Sequence, residues 1–245
     1  MTRCQVASVV LFSCCVVVQG AQRLDSARTA IDNYRVAIQA AQKEPSHGRL
    51  EVAFNAVGPL RHALLLSRAG SGSVLESMSE QEFSALGSEL AGVIVNRDEV
   101  VFVEPDVAFF RKLAARGDRA DRAFFAALSS TVPQSVWPVY IEQQTDVSGC
   151  TRYGSGTLVS TYLTWAALRR QYPTRYAEAS RSRLDDIVKE LTESTCACSD
   201  RASVERELTE LLRRADASDV RTRVAARLAA VRSGRADIRF ACKSG

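Results

Sequence analysis

Residues 156–173, GTLVSTYLTWAALRRQYP, carry Leu158, Tyr162, Trp165 and Ala166 three or four positions apart, and Pro173 closes the run. That period places the apolar side chains on one stripe of an α-helix, which a proline ring cannot continue. The pattern recurs downstream. Residues 174–194 carry Leu184, Ile187, Val188 and Leu191. Residues 200–214 carry Val204, Leu208, Leu211 and Leu212 behind Asp200, a capping residue type. Residues 218–233 carry Val220, Val224, Leu228 and Val231 and stop at Gly234. Short connections between helices of similar length make antiparallel hairpins, so residues 156–245 read as a set of helical hairpins.

The same period runs upstream. Residues 22–43 repeat it through Leu24, Ala27, Ile31, Tyr34, Ile38 and Ala41. Residues 49–67 repeat it through Leu50, Phe54, Val57, Leu60, Leu64 and Leu65, with Gly58-Pro59 predicting a kink or two short helices. Residues 69–73, AGSGS, read as a flexible connection. Ser79 followed by Glu82 is a capping box that opens a helix over 79–91. VIVNRDEVVFVEP, residues 93–105, sets β-branched runs on both sides of a charged turn. It allows one small β-hairpin near 93–103 or a helix continued to Pro105. Two short helices follow around Phe109-Phe110 and Phe124-Phe125, joined at Gly117-Asp118. Pro133 and Pro138 forbid a regular helix, so residues 133–155 are expected to form an irregular connecting segment. The expected fold is mainly α: an irregular bundle of antiparallel helical hairpins in one compact domain, with 21–132 before the connector and 156–245 after it. No helical-repeat signature recurs at constant period.

The first residues, MTRCQVASVVLFSCCVVVQGAQRL, combine Arg3, an apolar run over 6–18 and small residues around Gly20. This is a secretory signal pattern over 1–20 with cleavage before Ala21, and the run is short for a membrane span. LFSC at 11–14 loosely resembles a lipobox, which would lipidate Cys14. Phe12 and the apolar residues after Cys14 depart from that motif. No transmembrane helix is expected in the remaining chain. There is no Asn-x-Ser/Thr sequon and Arg far outnumbers Lys, so the expectation is a bacterial periplasmic or secreted protein. The formal net charge of +4 is too mild for a nucleic-acid partner.

Four of the seven cysteines lie beyond the signal: Cys150, Cys196, Cys198 and Cys242. An even number in an exported chain implies disulfides. Bridging Cys196 to Cys198 would strain the bond, so each is expected to pair with Cys150 or Cys242, the order being open. A zinc site would need histidines or Cys-x-x-Cys spacings that are missing, so no metal is expected.

Catalytic motifs are absent: no His-Glu-x-x-His, no Gly-x-Ser-x-Gly, no Ser-x-x-Lys, no Walker loop and no Cys-x-x-Cys. No catalytic residue or cofactor is assigned. His62, within LRHALLL, reads as a structural histidine. The polar stretch TDVSGCTRYGSG, residues 145–156, is the densest cluster of site-forming residue types. With Glu142 before it, it supplies the candidate ligand residues Glu142, Asp146, Arg152 and Tyr153. Carboxylates at such a crossing could serve glycan hydrolysis, but their spacing is no signature of it. The glycines depart from a dinucleotide-binding loop. The stretch therefore reads first as a disulfide-tied connection, with Asp146 and Tyr153 facing solvent. The arginines from Arg169-Arg170 to Arg239 read as a solvated basic face. Three functions follow: a non-catalytic binding or scaffold protein engaging a protein or cell-envelope component, a carboxylate-based hydrolase of cell-wall glycan or peptide, and a lipid-anchored membrane-surface factor. The missing motifs favour the first.

Overall fold

The computed structural model describes residues 13–65, 67–68 and 72–242, with side chains from residue 27 on except those of 67–68. The expected signal segment up to residue 12, the side chain of Cys14 and most of the connection 69–73 lie outside the described residues.

The first helix, α1 (Ser13–Lys43), packs against α2 (Arg49–Asn55) and α3 (Val57–Leu65). The expected break is real but falls at Ala56. Pro59 sits in the first turn of α3, where its missing N–H interrupts no helical bond. A short ladder, β1 (Ser67–Arg68) with β2 (Gly72–Ser73), leads through a 3-10 turn to α4 (Glu80–Glu89). Ser79 caps α4 as the spacing predicts: its hydroxyl accepts from the Glu82 N–H, and the Glu82 carboxylate accepts from the Ser79 N–H. Residues 93–105 take the hairpin alternative. β3 (Val93–Asn96) pairs antiparallel with β4 (Phe102–Pro105), and Pro105 ends the ladder, where no donor is needed. Then come α5 (Val107–Ala114), capped by Asp106, and α6 (Arg119–Thr131), opened by an Asp118–Asp121 capping box.

The connector over 133–155 is irregular only in its first half. Its second half is a hairpin that sequence reading did not anticipate, β5 (Ile141–Gln143) with β6 (Gly149–Thr151). The strands are three residues each, too short for an alternation pattern to show. The helical hairpins follow as expected: α7 (Thr157–Gln171) packs on α8 (Ala177–Glu193), and α9 (Arg201–Arg214) on α10 (Ser218–Arg232). His62 is exposed on α3, so its apolar sequence neighbours did not predict its burial.

One contiguous apolar cluster runs through both halves. Its centre is aromatic. Phe124 of α6 stacks on Tyr176 with ring centroids 3.9 Å apart, while Phe54, Phe110 and Phe125 meet edge-on or stacked around them. Tyr176 holds a left-handed backbone (φ 50), unusual for a tyrosine. Its surroundings fix it there. The ring is stacked, the hydroxyl donates to Asp121 at 2.7 Å, and its N–H donates to Glu51. Beside it the Arg175 guanidinium forks to Glu51 (2.7 Å), Asp118 (2.6 Å) and Asp121 (2.8 Å). This ties α2 and the start of α6 to the α7–α8 connection.

Candidate functional site

The pairing order of the cysteines follows from three extended segments lying side by side. Thr151 of β6 donates its N–H to the Cys196 carbonyl, and Cys198 returns one to the Thr151 carbonyl, each at 2.9 Å. On the other side Ala197 donates to Arg239, and Cys242 donates to Ala197. Residues 195–198 are thus sandwiched between β6 and the tail. Cys198 bonds Cys150 on one flank, and Cys196 bonds Cys242 on the other. Gln144 bridges both, donating to the Cys242 carbonyl at 2.9 Å and to the Cys150 sulfur at 3.1 Å.

The stretch 145–156 divides at this node. Before it, residues 144–148 turn the hairpin, with Thr145 and Ser148 hydroxyls 2.7 Å apart. After it, the chain enters α7 through Gly154 and Gly156, both with positive φ. At Gly154 a side chain is also excluded by space, because a Cβ would sit 2.6 Å from that of Ser203 on α9. The N–H groups of Gly154 and Gly156 point at one oxygen of Glu207 (2.9 and 2.8 Å), and that of Val159 at the other (3.1 Å). Glu207 is 2% exposed. The loop therefore does have the geometry of an anion nest at a helix N-terminus, but the anion is a carboxylate of the same chain. No local signal could reveal this, since Glu207 lies about fifty residues away.

The four sequence-derived candidates do not gather. Glu142 is exposed and pairs with Cys150 across the ladder. Arg152 is exposed, and its backbone is held by Tyr140 and Ser155. Tyr153 corrects the expectation of a solvent-facing residue. It is 3% exposed, and its hydroxyl donates to the Glu190 carbonyl at 2.8 Å. Burial above all, then the nearby Glu190 charge, pushes its pKa up, so it stays a neutral donor. Asp146, exposed at the hairpin tip, is alone among the four in lining a cleft of about 550 Å³ that the other three do not reach.

That tip cleft lies between the β3–β4 and β5–β6 turns. Trp137 is half-buried in its wall, Val136 is exposed beside it, and Asp98, Glu99 and Asp146 form its rim. A hydrogen bond between Glu99 and Asp146, reinforced by their like charges, pushes the Glu99 pKa up. On the opposite side of the hairpin a second cleft of about 430 Å³ runs between β5–β6 and the second half of α8. Tyr140 and Thr151 line it from the hairpin, Asp186, Lys189 and Glu190 from the helix. Burial raises the Asp186 pKa; Arg183 and Lys189 oppose that and Asp185 adds to it. The Thr151 hydroxyl is held between the Glu190 carboxylate and the Ser194 hydroxyl (2.6 Å from Ser194), which fixes the cleft's rear wall.

Among the described residues no three His, Cys, Asp or Glu side chains gather into a metal-binding set, and no helix is long and apolar enough to cross a membrane. No protein-family model, curated protein or solved structure matches the chain.

Proposed function

We propose that the chain is an exported, disulfide-stabilised protein of the periplasm or cell exterior that acts without catalysis, as a binding or scaffold protein. The observation that carries this reading is the tip cleft. Val136 is 41% exposed beside Trp137 in the cleft wall, and Val147 is 74% exposed at the tip of the β5–β6 hairpin, which the Cys150–Cys198 bond ties down. Apolar side chains held rigidly in water favour association, because little conformational freedom is lost when a partner covers them. The rim is acidic while the chain as a whole carries a formal charge of +4. The partner is accordingly a protein segment with basic side chains next to apolar ones.

The test uses a Lys-rich amphipathic peptide and its Glu-substituted counterpart. The basic peptide should bind, more weakly at high salt, and Trp137→Ala should cost about thirtyfold, a typical hot-spot loss of ~2 kcal/mol. Equal binding of the two peptides, or of wild type and variant, counts against the reading. Export is tested separately by N-terminal sequencing of the mature protein, which should begin near Ala21. A diacylglyceryl-modified Cys14 would instead favour the lipid-anchored factor, and retention of Met1 would remove export.

A further inference from the structure

We propose that the cleft between the β5–β6 hairpin and the second half of α8 binds a short saccharide, with Tyr140 as the anchoring hydroxyl. The site goes beyond the partner-binding reading, since the two clefts share no lining residue.

Tyr140 is 7% exposed, lines the cleft, and makes no hydrogen bond through its hydroxyl to any described residue. The ring is buried, but the hydroxyl is not among the buried polar atoms left without a partner, so it meets the water of the cleft, which a ligand hydroxyl can replace. Burial first, then the charges of Glu190 and Asp186, pushes the Tyr140 pKa up. The group is therefore a protonated phenol, able to donate and to accept.

Asp186 and Lys189, one turn apart on the facing wall, also make no hydrogen bond or ion pair to another described residue. Asp186 and Lys189 are exposed, so one carboxylate, one ammonium and one phenol line the same space with only water to be replaced. An ammonium ligand is drawn by Asp186, Glu190 and Glu193, but it only donates and offers no acceptor to Lys189 or to the phenol. A phosphate only accepts and would be repelled by Asp186 and Glu190. A hydroxyl does both, and a saccharide presents several at the spacing of neighbouring side chains. Pro138 and Ile141 give the cleft an apolar side, suited to the C–H face of a sugar ring. The volume of about 430 Å³ lies within the range of small-ligand sites. The walls are fixed in advance, since the Cys196–Cys242 bond pins the rim at Cys196 and the Thr151–Glu190–Ser194 cluster sets the back.

The experiment measures binding of a β-1,4-linked N-acetylglucosamine tetramer and of cellotetraose to the full mature chain, by calorimetry and amide chemical-shift changes. Spermidine and inorganic phosphate are the charged comparisons. At least one saccharide should bind, with shifts at Tyr140 and along α8. Tyr140→Phe, which removes one oxygen, should weaken binding about tenfold, as expected for loss of one hydrogen bond, and leave the melting temperature unchanged. Asp186→Asn should weaken it as well. Three results would overturn the proposal: no saccharide binding by the wild type, equal affinity of wild type and Tyr140→Phe, or tighter binding of spermidine or phosphate than of either saccharide.

Discussion

Glu207 occupies the position that a bound anion takes in a phosphate-binding loop. Its two oxygens satisfy three N–H groups at the entry to α7, where the N-cap residue, Gly156, has no side chain to accept them. Removing the carboxylate takes the partner from all three donors, of which the Val159 N–H is buried and those of Gly154 and Gly156 are part-buried. Glu207→Ala is expected to cost about 3 kcal/mol or more, because hydrogen bonds to charged groups are the stronger kind and all three are lost together. Urea unfolding measures this, and added sulfate should restore part of the loss in Glu207→Ala alone by entering the emptied nest. A variant as stable as wild type, or one equally unresponsive to sulfate, would remove the nest from the account. Tyr153 makes a neighbouring case. Tyr153→Phe gives up one hydrogen bond to the Glu190 carbonyl, about 1 kcal/mol, whereas Tyr153→Ala opens a cavity and should cost about 3–5 kcal/mol. The two melting temperatures should therefore differ widely, as they would not for the solvent-facing tyrosine that sequence reading expected.

Helix starts show which elements a sequence can announce. Ser79, Asp118 and Asp200 each sit three residues before the N–H they accept from, so type and spacing are enough to read them. The partners of Arg175 and of Glu207 lie far off in the chain, and no spacing rule encodes them. The β5–β6 hairpin was hidden for a related reason. Its second strand is stabilised by pairing with residues 196–198, which the tail backs on their other side, rather than by an alternating pattern of its own. The capping carboxylates carry a pH consequence. Hydrogen bonds from the Ser203 hydroxyl and N–H hold the Asp200 pKa low, and the Ser79 N–H and hydroxyl do the same for Glu82. At Asp118, burial works upward, but the Arg175 bond and the Asp121 N–H outweigh it and the net shift is down. A folded pKa below the unfolded one gives stability that is complete above the unfolded value and is lost as pH falls through the folded one. These helix starts should therefore loosen as the pH drops below about 4, where ordinary carboxylates protonate. Asp200→Asn keeps a good cap without a titrating group. Its urea midpoint should match wild type near neutrality and fall less on acidification; parallel curves would show that Asp200 contributes nothing to the acid response.

At the scale of the whole molecule, the two disulfides close loops of nearly equal length, with sequence separations of 48 and 46. Chain entropy alone assigns each about 4 kcal/mol, so it cannot rank them. The folded state does rank them. Cys150, on β6, is 1% exposed and bonds Cys198 just before α9, while Cys242 lies partly exposed on the tail. Replacing Cys150 and Cys198 together by Ala opens a loop and also loosens the base on which both clefts rest. Replacing Cys196 and Cys242 by Ala opens a loop but leaves the tail its backbone bonds to Ala197 and Ser199. The inner pair should accordingly lower the melting temperature more than the outer pair. Only the inner pair should raise hydrogen exchange along 141–151, whereas loss of the outer pair should raise it over 236–242. Two double variants with the same melting temperature and the same exchange pattern would mean that the bridges act only on the unfolded chain. A difference in the predicted direction would place the hairpin's rigidity, and with it the two clefts on either side, under the control of the Cys150–Cys198 bond.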